Sequence, residues 1–275
     1  VRIIRVFPRR TNATPTDDLA FVGDPPLWHP PADRVDVSVT FTWDLAEGHR
    51  LREAWAEHYS AVWIGGPAFG DPGDTFEPGM YVKRGITFTS RGCPRHCPWC
   101  LVPERSGPLR LLDPIPEGYI VNDDNFLACS PDHRQAVYAM LRRQPRAAVF
   151  AGGIDCRLVT DGITDEFRTI RISEMFLAAD TRAAVAPLRL AAERLDWLGW
   201  EKLRCFVMVG YGSETISQAT ERLEAIWQVG IMPFCQLYQP PSDHRLEYSP
   251  EWRRLQRTWS RPAAMKAMHR VEVST

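Results

Sequence analysis

From residue 86 to residue 237 the chain repeats one pattern, a short apolar run followed by a longer stretch with apolar positions at helical spacing. The apolar runs fall at 86–90, 119–122, 147–152, 172–178, 203–210 and 231–237. Between the second and third, residues 131–144 carry Ala136, Val137, Met140 and Leu141 on one helical face. Ser130 precedes them as an N-cap and Pro131 occupies the first helical position. Residues 164–169, 181–198 and 214–229 read as further helices, the last with Ser213 as its cap. Strands that alternate with helices form parallel βα units, which predicts an α/β fold. Six such units are too few for a closed eightfold barrel, which needs about 250 residues, so an open arrangement is expected.

The first 66 residues follow a different pattern. Residues 2–7 read as a strand and residues 11–31, rich in Pro, Thr and Asp, as a long loop. Residues 35–42 alternate as a strand does, with Val35, Val37, Val39 and Phe41 on one face. An amphipathic helix is expected over 45–59 and a strand over 61–64, ending in Gly65-Gly66-Pro67. The predicted organisation is a small α/β layer (1–66), a Pro- and Gly-rich linker (67–80), the βα region (81–240) and an extension (241–275). The extension reads as two helical pieces broken by proline. It interleaves Arg253, Arg254 and Arg257 with Trp252 and Trp259. That composition suits either a solvated cover over the edge of the sheet or a lip for phosphates and bases.

Composition narrows the classes. In 275 residues, 33 basic and 34 acidic side chains leave a net charge of −1, which excludes binding to nucleic acid by bulk charge. No apolar run is long enough to span a bilayer, and no basic-then-apolar leader precedes the first strand. Seven cysteines do not suggest a disulfide framework. Three of them crowd into Cys93-Pro-Arg-His-Cys97-Pro-Trp-Cys100, a density that points to metal binding in a reducing, cytoplasmic compartment. Thiolates suit zinc or iron–sulfur clusters, and structural zinc takes four protein ligands where this loop offers three. The other four, Cys129, Cys156, Cys205 and Cys235, sit singly and are expected in the core.

The spacing Cys-x3-Cys-x2-Cys, with Trp99 before the last cysteine, resembles the radical SAM superfamily. The string Thr89-Ser-Arg-Gly-Cys-Pro-Arg-His-Cys-Pro-Trp-Cys100 is most similar to the members that carry a cobalamin-type domain ahead of the barrel. The six βα units match the partial (βα)6, TIM-like barrel typical of that superfamily. Residues 1–66 resemble a shortened cobalamin-type domain, whose last strand also ends in Gly-Gly-Pro. No Asp-x-His-x-x-Gly is present to supply a cobalamin ligand, so cobalamin is not expected. The layout also resembles compact radical SAM proteins of phages and prophages.

The resemblance implies that Cys93, Cys97 and Cys100 hold a [4Fe–4S] cluster. Its open iron would chelate S-adenosylmethionine, and reductive cleavage would yield a 5′-deoxyadenosyl radical that takes hydrogen from a substrate. An external electron donor of flavodoxin or ferredoxin type is implied as a partner. Trp99 is expected near the adenine. Polar groups at strand ends complete the expected site, because parallel barrels gather their chemistry there. Asp123, Asp124 and Asn125 would meet the SAM ammonium. Asp155 and Arg157 follow Gly152-Gly153, and Arg157 either forks onto the SAM carboxylate or pairs with an Asp. Asp180 either binds ribose hydroxyls or caps the next helix. Gly210 and Tyr211 would border the adenine. The substrate is expected to be a small molecule, a nucleoside or a nucleic acid. A non-catalytic iron–sulfur or zinc-binding module is the alternative, and it has no need of these strand-end groups.

Overall fold

The computed structural model describes residues 1–71, 73 and 75–271. Pro72 and Asp74 of the expected linker, and residues 272–275 of the extension, lie outside the described residues. The chain opens with β1 (Ile3–Phe7), β2 (Ala20–Val22), β3 (Arg34–Ser38), α1 (Leu45–Ala56) and β4 (Val62–Gly65). The four strands are parallel, in the order β2-β1-β3-β4. α1 covers one face, burying Ile4, Val6, Val35, Val37, Leu51 and Trp55 between helix and sheet. Two expectations change here. Residues 11–31 are not all loop, since β2 lies within them and pairs with β1; three residues are too few to show alternation. The strand expected over 35–42 stops at Ser38. Thr42 opens a 3₁₀ turn (Thr42–Asp44), and its hydroxyl donates to the Ser242 carbonyl at 2.5 Å.

β5 (Ile86–Thr87) starts a second sheet. The chain then leaves it for an antiparallel pair, β6 (Ser90–Arg91) and β7 (Arg110–Leu111), with the short α2 (Val102–Arg105) between them. It returns as β8 (Ile120–Val121), α3 (Pro131–Arg143), β9 (Ala148–Asp155), α4 (Asp161–Arg168) and β10 (Ile172–Ala178). α5 (Val185–Arg194), β11 (Leu203–Val209), α6 (Ile216–Gln228) and β12 (Met232–Leu237) follow. The sheet order is β12-β11-β10-β9-β8-β5, all parallel, so neighbouring strands follow one another along the chain. No ladder joins β12 to β5 among the described residues. One face packs against the helices around Val137, Phe150, Phe167, Met175, Leu188 and Leu223.

Caps explain the helix boundaries. Ser130 caps α3 as expected, accepting from the His133 amide at 3.4 Å. α4 starts at Asp161, earlier than expected, because the Thr160 hydroxyl accepts from the Ile163 amide. α6 is capped by Thr215 rather than Ser213, in a reciprocal capping box with Gln218. The helix expected over 181–198 is α5 flanked by two 3₁₀ turns.

The extension forms α7 (Pro250–Trp259) and α8 (Pro262–Val271). α7 packs on β12 and α6, Trp259 is only 2% exposed, and Met265 joins the main core. Trp259 therefore has no free face for a base, which corrects that part of the lip reading. Trp252 also packs against the core, while Arg253, Arg254 and Arg257 face solvent. The covering role is the one the packing realises. Among the described residues no helix is long and apolar enough to cross a membrane.

Candidate functional site

A cavity of about 1140 Å³ lies between the N-terminal sheet and the carboxyl ends of the six-stranded sheet. Cys93, Cys97, Trp99, Cys100, Asp123, Asp124, Asn125, Asp155, Arg157 and Asp180 all line it. Gly210 and Tyr211 do not. The Gly210 amide donates to Glu214, and Tyr211 touches the back of the cysteine loop, donating from its hydroxyl to the Pro98 carbonyl at 3.2 Å. Among the described residues, none of the extension reaches the cavity wall.

The cysteine loop is built on the β6–β7 pair and pinned by groups from three strand ends. Gly92 turns it with φ 82°, and a Cβ there would lie 2.1 Å from the Pro108 carbonyl oxygen, so only glycine fits. The Gly92 amide donates to Asp124 at 2.8 Å. Asp123 is 1% exposed and accepts from the Thr89 amide (2.6 Å), the Thr89 hydroxyl (2.5 Å) and the Ser90 hydroxyl (2.8 Å). Burial raises its pKa against the lowering effect of these donors. Asp123 thus commits both carboxylate oxygens to Thr89 and Ser90 and holds the approach to the loop from the cavity wall. It also explains why the strand expected over 86–90 is split: Thr89 is drawn to Asp123 instead of extending the ladder.

Cys93, Cys97 and Cys100 carry free, half-buried thiols, while Cys129, Cys156, Cys205 and Cys235 are buried. The Cys93 sulfur accepts from the Asn125 side-chain amide at 3.3 Å and from the Arg95 backbone amide at 3.4 Å. Burial raises the thiol pKa of Cys97 and of Cys100; the nearby Arg157 acts against it at Cys97. Asn125 has a second polar atom, Oδ1, that is buried and without a partner. Among the described residues, no three His, Cys, Asp or Glu side chains are arranged as ligands of one metal ion.

Two residues are held by partners within the chain. Arg157 forks onto Asp155, with Nε at 2.7 Å and Nη2 at 2.9 Å, and Arg95 shares the same carboxylate at 3.2 Å. The Asp-paired alternative for Arg157 is the one realised. Asp180 neither caps a helix nor stands free for ribose. It accepts from the Trp99 indole at 3.2 Å and from the Met208 amide at 2.9 Å, while burial raises its pKa. Trp99 is held further by the Tyr211 ring, whose centre lies 5.9 Å away.

Sequence reasoning passed over several wall residues. The Arg91 guanidinium sits over the Phe88 ring, 3.5 Å from its centre, its Nε is buried without a partner, and burial lowers its pKa. The other cavity arginines pair with carboxylates: Arg9 with Asp44, Arg34 with Asp36, Arg95 and Arg157 with Asp155, and Arg105 with Asp124 at 3.6 Å. Arg34, Asp36 and Trp63 come from the N-terminal sheet. The signal for the first two was present in the alternation of β3, which puts Arg34 and Asp36 on the face opposite Val35 and Val37.

No family model matches this chain, and no curated protein matches it.

Proposed function

We propose that the chain is a radical SAM enzyme built on a partial (βα)6 barrel, with the cavity as its reaction chamber. The observation that carries this reading is convergence. Residues nominated from one cysteine motif and three separate strand ends line a single cavity, at the end of the parallel sheet where such folds place their chemistry. The sequential, parallel order of six strands and the open edge between β5 and β12 are what a partial barrel requires.

The residues fit an iron–sulfur cluster. Three free thiols on one loop face the cavity, and the Cys93 sulfur already receives two N–H donors, a pattern that stabilises thiolate over thiol. Cys93, Cys97 and Cys100 would hold the cluster, with Asn125 and the Arg95 amide as the partners of Cys93. When bound, a [4Fe–4S] cluster supplies the single electron that cleaves S-adenosylmethionine reductively and so begins hydrogen abstraction from substrate. The chain supplies position and enclosure. Asp180 fixes the Trp99 indole as a flat wall beside the loop. Asp124 holds the turn at Gly92. Arg157 stands near enough to Cys97 to offset negative charge gathered there. The N-terminal layer closes the chamber from above and restricts water.

The test is anaerobic reconstitution with iron and sulfide. The expected product is brown, with broad visible absorbance and iron in the proportion of a [4Fe–4S] cluster. Each of Cys93→Ala, Cys97→Ala and Cys100→Ala should lose it, while Cys129→Ala should keep it. A colourless protein that holds one zinc would establish the binding-module alternative instead.

A further inference from the structure

The cysteine loop and the strand-end carboxylates occupy one side of the cavity. The opposite wall is the face of the N-terminal sheet that α1 leaves uncovered. Register sets Asp36 on β3 beside Trp63 on β4, with Arg34 on the same face of β3. The strand order β2-β1-β3-β4 reverses direction between β1 and β3: the chain leaves β1 toward one edge and β3 toward the other. Open parallel sheets bind ligands outside their carboxyl ends at such a reversal. Here Pro8 and Arg9 after β1, and Thr40 and Phe41 after β3, line the cavity. Two sheets therefore present their carboxyl ends to one space. At about 1140 Å³, that space exceeds the roughly 300–1,000 Å³ of a pocket for one small ligand, and leaves room for a second.

The chemistry of this wall is specific. Trp63 is 66% exposed and stands in the cavity lining, so a large indole face is open rather than packed. Beside it Asp36 accepts from Arg34 Nη2 at 2.8 Å and from the Tyr81 hydroxyl at 2.6 Å, and its other oxygen lies 2.8 Å from Arg34 Nε. Both hydrogen bonds fall on one oxygen, so the carboxylate keeps acceptor capacity on the other, and the half-exposed guanidinium keeps spare donors. Arg9 is balanced in the same way by Asp44. The wall thus carries paired charges, with no surplus cation for a phosphate. An indole face next to an acceptor and a donor suits a flat ring whose edge carries both kinds of group.

We propose that the N-terminal layer is the substrate-recognition wall, and that it takes an uncharged nucleoside with its base on Trp63 and its edge at Asp36 and Arg34. This names the substrate class of the reading above and rests on it for the reaction, but not for binding.

The test is equilibrium dialysis of guanosine, cytidine, uridine and thymidine against the full chain, with S-adenosylmethionine saturating. Adenosine is left out because it competes for the S-adenosylmethionine site. At least one nucleoside should bind. Trp63→Ala should weaken it about ten-fold and Trp63→Phe should restore most of the loss, since stacking needs only an aromatic face. Asp36→Asn should change the preference among the nucleosides. Repeating the series on protein without iron separates the two claims. Nucleoside binding there, beside a failed reconstitution, keeps this proposal and removes the radical one. The proposal is overturned if no nucleoside binds, if Trp63→Ala binds as tightly as wild type, or if nucleoside monophosphates bind more tightly than nucleosides.

Discussion

Asp123 serves the site by holding its backbone rather than by reaching into the cavity it lines. Its carboxylate gathers donors from Thr89 and Ser90, and so fixes where the chain turns toward Cys93. Asp123→Asn would set an amide N–H₂ against one of those donors. The expected cost is about 1–3 kcal/mol in urea unfolding, with faster loss of iron from the reconstituted protein. His133 gives a second prediction at this scale. It is buried in the first turn of α3, within 3.3 Å of the Thr89 hydroxyl, and burial lowers its pKa below 6.5, although Thr89 and Asp113 act the other way. A lowered folded-state pKa means that the unfolded chain binds the proton more readily. Stability from this group is complete above pH 6.5 and is lost as pH falls through the folded pKa. Unfolding free energy measured from about pH 7 down to about pH 5 should fall, and His133→Gln should flatten that part of the profile. The grouping of three cysteines apart from four buried ones was legible in the sequence, because apolar neighbours mark a core thiol. The partnership of Trp99 with Asp180 was not. It spans 81 residues and depends on how far the loop folds back over the sheet.

Elements with strong periodicity or a cap were readable. α3 was legible from Ser130, Pro131 and its apolar face, and α6 from its length, although the cap itself was misplaced. Short elements were not: β2 has three residues, and β5 has two because Asp123 diverts the chain after it. The tail shows how composition can mislead. Arg253, Arg254 and Arg257 invite a reading as phosphate ligands, but α7 has two faces, and the one that matters carries Trp252, Leu255 and Trp259 inward. Replacing the three arginines by glutamine should change stability by no more than about 0.5 kcal/mol per site. It should also leave the salt dependence of any oligonucleotide binding unaltered. A flattened salt slope in filter binding would return the tail to the site.

At the scale of the whole molecule, the α/β class and the run of six parallel strands follow from the alternation of apolar runs and helical stretches. The meeting of two sheets across one cavity does not, because nothing local records which face of β3 turns toward the cysteine loop. Only the fold brings Asp36, at one end of the chain, and Asp180, near the middle, to the same space. The order of strands has a further consequence for how the protein is made. Each strand of the second sheet can dock on its predecessor as it leaves the ribosome, but among the described residues no later strand covers β12. Its cover comes from α7, and the Ser260 hydroxyl meets its Cys235 carbonyl at 2.7 Å. Until residues 250–271 have emerged, the nascent chain carries an open strand edge, a template for pairing with its neighbours. A chain ending at residue 249 should therefore collect in the insoluble fraction, and co-expressed α7 and α8 supplied as a separate peptide should draw part of it back into solution.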